Sequence, residues 1–115
     1  MTWDVIFDPA FEQEFDELSL DVQDELLAHA KVLETFGPSL GRPRVDTLKG
    51  SRHANMKEMR FSVADGVWRV AFAFDPVRRA VLLTAASKSG INERRFYQRL
   101  IRTADRRFDR HLNQL

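Results

Sequence analysis

Met56-Lys-Glu-Met-Arg-Phe-Ser-Val-Ala64, then Asp65-Gly66, then Val67-Trp-Arg-Val-Ala-Phe-Ala-Phe74 is the stretch that decides the fold. Alternate side chains of a strand take opposite faces. Met59, Phe61 and Val63 therefore share one side, with Glu58, Arg60 and Ser62 on the other. Trp68, Val70, Phe72 and Phe74 form a bulky side, and Arg69, Ala71 and Ala73 oppose them. Asp-Gly between two such runs is a strong signal for a tight hairpin. Asp75-Pro76-Val77-Arg78-Arg79 leads to a third strand, Ala80–Ser87, and Ser89-Gly90 ends the sheet. Leu82, Thr84, Ala86 and Lys88 share a parity there, which predicts that Lys88 joins the charged side.

Upstream, residues 37–54 are rich in Gly, Pro and Arg and read as one long connection, of the kind that tends to carry function. Before it, Trp3 to Phe7 reads as a strand. Asp8 caps a helix with Pro9 at its first position and Phe11, Phe15 and Leu18 on one stripe. Ser19-Leu20-Asp21 interrupts, and a second helix carries Val22, Leu26, Leu27, Ala30, Leu33 and Phe36 until Gly37-Pro38 stops it. Downstream, Asn92 caps a last helix with an apolar stripe of Phe96 or Tyr97, Leu100 or Ile101, Ala104, Phe108 and Leu112. Its arginines, 94, 95, 99, 102, 106, 107 and 110, read as a solvated face or an RNA rail. The order β-α-α-β-β-β-α predicts an α+β fold. A twisted, mainly antiparallel sheet packs on an N-terminal helical hairpin and leaves its other face partly free. No repeat or linker divides residues 1–115, so one domain is expected.

The 115 residues are 43% apolar and 30% charged, a globular balance, with no cysteine and three scattered histidines. That argues against disulfides, a thiolate nucleophile, a metal site or any cofactor. No apolar run is long enough to span a membrane, and Met1-Thr-Trp-Asp has no signal-peptide character, so a cytoplasmic protein is expected. The net charge of +1 hides a split. Residues 1–36 hold ten acidic residues against one lysine, and residues 37–115 hold seventeen basic residues against seven acidic ones. Either the two halves neutralise each other, or the basic part meets a polyanion.

Parity gathers Glu58, Arg60, Arg69 and Lys88 on the free face. Lys49, Arg52, His53 and Lys57 enter from the loop or the strand's start, Lys57 only if a bulge turns it inward. Such a set suits metal-free RNA cleavage, in which a 2′-hydroxyl attacks its neighbouring phosphate. Glu58 can be the base, and Arg69 and Arg60 can hold the phosphate. Lys88 or His53 can be the acid or a further charge clamp. Tyr97 can stack on a base or simply belong to the core. The bland alternative is that Arg69 in an apolar sheet is salt-bridged to Glu58.

A resemblance adds to this. Leu40-Gly-Arg-Pro-Arg-Val-Asp-Thr-Leu-Lys-Gly-Ser-Arg-His-Ala-Asn-Met-Lys-Glu-Met-Arg-Phe61, Trp68-Arg-Val-Ala-Phe-Ala-Phe-Asp75, Ala80-Val-Leu-Leu83 and Lys88-Ser-Gly90 resemble the phage-derived HigB-like branch of the RelE/ParE toxin superfamily. Phe96-Tyr97, Leu100-Ile101, Ala104-Asp105 and His111-Leu112 continue the match. The resemblance implies a RelE-like fold and the toxin role in a type II toxin–antitoxin system. It also implies ribosome-dependent mRNA cleavage that halts translation, and a cognate antitoxin, expected to be of the helix-turn-helix type. Its site residues map onto Glu58, Arg60, Arg69 and Lys88. One departure is local: a Gly-Asp-Lys-like turn is expected before the last helix, and this chain has Ala86-Ser87-Lys88. The rival readings are a ParE-like gyrase inhibitor and a nonenzymatic regulator that binds RNA or antitoxin.

Overall fold

The computed structural model describes residues 2–64 and 66–115. Five strands, β1 (Asp4–Phe7), β2 (Val45–Thr47), β3 (Met56–Val63), β4 (Gly66–Phe74) and β5 (Arg79–Ser87), form one sheet in the order β1-β5-β4-β3-β2. Every pairing is antiparallel except β1 with β5. Helices α1 (Pro9–Asp16) and α2 (Leu20–Phe36) form the N-terminal hairpin, and α3 (Glu93–Asn113) closes the chain. The predicted α+β architecture is therefore present, with β2 in addition. Three residues with a single apolar side chain, Val45, are too few to show a strand period. The predicted Asp65-Gly66 turn falls partly outside the described residues, at Asp65. Gly66 has φ +145°, a region that favours glycine.

The helix starts follow their capping residues. The Asp8 carboxylate accepts the amides of Ala10 and Phe11 at 3.0 and 3.1 Å. Ser19 Oγ accepts that of Val22, and Asn92 Oδ1 that of Arg95, each at 3.3 Å. Each satisfies an amide that the first helical turn leaves without a partner. Gly37, with φ +53°, ends α2, and a Cβ there would collide with the Trp3 indole.

The sheet buries both faces. Phe11, Val22, Leu26 and Leu33 of the hairpin pack on Met59, Phe61, Val70, Phe72 and Leu82. On the opposite face Phe96, Leu100, Ala104 and Phe108 of α3 pack on Ala71, Ala73, Val81 and Leu83. Burying one Leu or Phe side chain contributes about 1.5–3 kcal/mol, so these two layers dominate the stability. The alanines of β4 let α3 sit close. The β3–β2 side of that face stays open.

Two parts of the sequence pattern were misleading. Leu27 and Phe36 face solvent instead of the core, because α2 presents only its Val22–Leu26–Ala30–Leu33 stripe to the sheet. Leu82 also does not share a face with Thr84 and Ala86. Ala71 pairs with Thr84 but Phe72 pairs with Leu82, so Leu83 is an extra residue, a bulge that switches the parity of β5. Leu82 faces the hairpin, and Ala86 packs on the α3 side.

Candidate active site

The unbroken β3–β4 register sets Glu58 opposite Ala71 and Arg60 directly opposite Arg69. Two like charges across a strand pair repel, and the Glu58 carboxylate compensates. Arg60 Nε donates to Glu58 Oε1 at 2.6 Å, and Arg69 Nε lies 3.9 Å from the same oxygen. The α3 register adds the connecting group. Tyr97 hydroxyl accepts from Arg69 Nε at 2.6 Å and donates to Glu58 Oε1 at 3.1 Å. The arrangement is thus a chain, Arg69 to Tyr97 to Glu58 to Arg60, tying α3 to the middle of the sheet.

The two arginines differ in access. The Arg69 side chain is 13% exposed and that of Arg60 is 44% exposed. The Arg69 guanidinium sits 5.7 Å from the ring centres of both Phe96 and Tyr97. Its buried Nη1 finds no hydrogen-bond partner among the described residues, an uncommon state for a charged group. Arg60 is the guanidinium that meets solvent. Its pKa is raised chiefly by the hydrogen bond to Glu58, so it stays cationic. Burial raises the Tyr97 pKa, the Glu58 charge adds to this, and Arg69 opposes it. Tyr97 is therefore a neutral phenol at neutral pH.

Glu58, Arg60 and Tyr97 border a cleft of about 300 Å³, together with Arg42, Asp46, Lys49 and Glu93. Lys88 reaches this cleft indirectly, through a 3.8 Å contact with Glu93 in the first turn of α3. A second cleft, of about 590 Å³, lies between residues 49–52 and α3 and is bordered by Lys49, Arg52, Arg94, Tyr97, Gln98 and Arg102. Lys49 and Tyr97 belong to both clefts, so they form one groove with basic walls.

Parity thus brings together Glu58, Arg60 and Arg69, with Lys88 at the edge and Lys49 and Tyr97 along the groove. Two expected residues lie elsewhere, and a third is engaged in an ion pair. Lys57 stands on the hairpin side of β3, since no bulge interrupts the register, and its Nζ donates to Thr47 Oγ1 at 3.0 Å. His53 Nε2 lies 2.7 Å from Asp109 Oδ1, and its ring packs edge-on against Phe108. Arg52 is on the groove wall, but its guanidinium is paired with Asp109. The relay position of Tyr97 and the carboxylate of Glu93 were not legible in the sequence, because both depend on how α3 crosses the sheet.

The α3 arginines also divide. Arg107 is buried, donating to Glu14 at 2.8 and 2.6 Å and to the Leu83 carbonyl at 2.8 Å. Arg110 donates to Asp8 at 2.8 Å. Here the acidic N-terminal segment does neutralise the basic one. Arg94, Arg95, Arg99, Arg102 and Arg106 make no ion pair among the described residues.

The architecture defines a class, the RelE fold. The structure of an Escherichia coli toxin RelE double mutant in the free state superposes with a TM-score of 0.57, covering 88% of this chain and 95% of that one, at 12% identity. Within that class, the chain belongs to the family described as "Phage derived protein Gp49-like", which matches residues 13–109. Two Mycobacterium tuberculosis proteins are similar in sequence. The "Putative toxin HigB2" is 44% identical over 98 residues, 84% of this chain, which spans about half (48%) of that protein. The "Putative toxin HigB3" is 41% identical over 108 residues, 94% of this chain and 92% of that protein. The resemblance to HigB-like toxins read from the sequence is thus established. Among the described residues, no helix is long and apolar enough to cross a membrane.

Proposed function

We propose that this chain is the toxin of a type II toxin–antitoxin pair and an endoribonuclease that cuts mRNA on the ribosome. The observation that carries this reading is the Arg69–Tyr97–Glu58–Arg60 chain opening into a basic groove. A protein that only bound gyrase would need no carboxylate and phenol held together between two guanidiniums. Kinship to HigB toxins supports the toxin role and a cognate antitoxin, the helix-turn-helix type being the expected form.

The chemistry follows from access. Glu58 is 3% exposed, so a substrate hydroxyl meets the Tyr97 phenol first. As the 2′-oxygen attacks the adjacent phosphorus, its proton passes to Tyr97 while the phenol passes its own to Glu58. The P–O5′ bond breaks, leaving a 2′,3′-cyclic phosphate and a 5′-hydroxyl. Arg60, solvent-facing and permanently charged, stabilises the charge that builds on the phosphate oxygens. Arg69 holds the phenol in line. Lys88, steered by Glu93, supplies the proton or positive charge at the leaving oxygen. The ribosome presents the strand, which places the activity in the cytoplasm.

Induced expression followed by mapping of mRNA 5′ ends on ribosomes tests the reading. New ends carrying 5′-hydroxyls are expected, and Arg60→Ala should remove them. Growth arrest with intact transcripts and altered DNA supercoiling would replace it with gyrase inhibition. Intact transcripts without arrest would leave a nonenzymatic regulator.

A further inference from the structure

The second cleft is a built feature of the fold, distinct from the Glu58 chain. Its loop wall is pinned to α3 before any ligand arrives. Ser51 Oγ donates to Asp105 Oδ1 at 2.5 Å, and the Arg52 amide donates to Asp105 Oδ2 at 3.1 Å. Gly50, at φ +102°, lets the chain pass over Ile101. The helical wall presents Arg94, Gln98 and Arg102 at four-residue spacing, one row along α3. That row spans about 12 Å, enough for more than one phosphate of an extended strand. Its two arginines have no carboxylate partner among the described residues, and the Gln98 amide makes no hydrogen bond within the described chain. Tyr97 stands where this cleft meets the Glu58 site.

Resting on the endoribonuclease reading, we infer that this cleft binds the nucleotide flanking the scissile phosphate in single-stranded RNA, with Arg94 and Arg102 on its phosphates and Gln98 reading its base. A guanidinium without an internal partner matches phosphate oxygens two at a time. A side-chain amide offers one acceptor and one donor edge, which suits an unstacked base. Gly50 and Ile101, which also line the cleft, give that base an apolar surface to lie on. Gln98 is thereby a specificity-determining residue, and the two arginines are binding residues.

The test separates this subsite from the cleavage chemistry. Affinity for a fully 2′-O-methylated RNA hexamer of mixed sequence, which cannot be cut, is measured against salt concentration. Arg94→Ala and Arg102→Ala should each reduce the slope of log affinity against log salt by about 0.7, one released counterion on a single strand. Arg106→Ala, on the same helix but outside the cleft, should leave the slope unchanged. On ribosomes, Gln98→Ala should flatten the base preference at one position beside the cut, on the order of ten-fold. Equal slopes for all three arginine variants, or an unchanged base preference in Gln98→Ala, would overturn the subsite even if the protein cuts mRNA. Loss of antitoxin binding without change in RNA binding would reassign the cleft to the antitoxin. A chain that binds the hexamer with the expected slopes yet never cuts mRNA would leave the phosphate contacts standing and sink the endoribonuclease reading.

Discussion

The two halves of α3 carry similar sequences and do different work. Both are rich in arginine. In the first half, Arg94, Arg95, Arg99 and Arg102 make no ion pair among the described residues, and Tyr97 reaches into the site. In the second half, Arg107 and Arg110 are held by Glu14 and Asp8, Asp105 and Asp109 hold the 51–53 loop, and His111 Nε2 lies 2.8 Å from Asp75. The difference lies in the partner each arginine finds, not in the arginine itself. One half of the helix is fastened to the rest of the fold, and the other keeps its arginines unpaired among the described residues.

The sharpest way to break this contrast is at Tyr97. Tyr97→Phe removes the hydroxyl between Arg69 and Glu58, and mRNA cleavage should fall by about two to four orders of magnitude, as for loss of an acid–base group. Ribosome-bound cleavage assays on protein shown to be folded by circular dichroism would measure it. Full activity in Tyr97→Phe would sink the relay. On the fastened half, Arg107→Ala should lower stability by roughly 2–3 kcal/mol through lost charge-assisted hydrogen bonds, part of it discounted because Glu14 is half exposed. Urea unfolding would show this, and an unchanged midpoint would mean that the clamp contributes nothing.

The acid response belongs to the fastened half as well. Burial disfavours the Asp75 carboxylate, but hydrogen bonds from His111 and from the Arg79 amide and side chain outweigh it, so its pKa is lowered. A depressed folded pKa contributes stability that is complete above the unfolded value of about 3.9 and disappears as pH falls through the folded value. Unfolding midpoints should therefore fall below about pH 4, with a shallower fall in Asp75→Asn. A parallel acid limb in the two proteins would rule Asp75 out as its source. The smallest effect is expected at Arg106, exposed and outside both clefts. Arg106→Ala should change stability by less than about 0.5 kcal/mol and leave cleavage alone. A large loss of activity there would erase the distinction between groove and solvated face.

Much of this was written in side-chain alternation and capping residues. Glu58, Arg60 and Arg69 could be placed on one face because β3 and the first part of β4 keep a regular period of two. Asp8, Ser19 and Asn92 marked their helices because a cap is a local device. What stayed hidden was not local. The bulge at Leu83 breaks a count that looks regular in the sequence. The burial of Arg107 depends on Glu14, distant in the chain. The role of Tyr97 depends on which of two adjacent aromatics α3 turns to the core. Phe96 takes the core position, and Tyr97 is left at the site. Lys57 and His53 had the right chemistry and the wrong company.

The pinned loop has a consequence for how binding proceeds. Ser51, Arg52 and His53 are tied to α3 through Asp105 and Asp109. The groove wall is therefore ordered when the chain folds and does not wait for RNA. If the groove takes RNA as proposed, association costs little conformational entropy on the protein side. The backbone amides of Arg52 and His53, already bonded to Asp105 and to Ser51 Oγ, should resist hydrogen exchange in the free protein, and RNA should add little further protection. On the proposed RNA-binding reading, the groove is a fixed mould, in which the strand, not the protein, does the adapting.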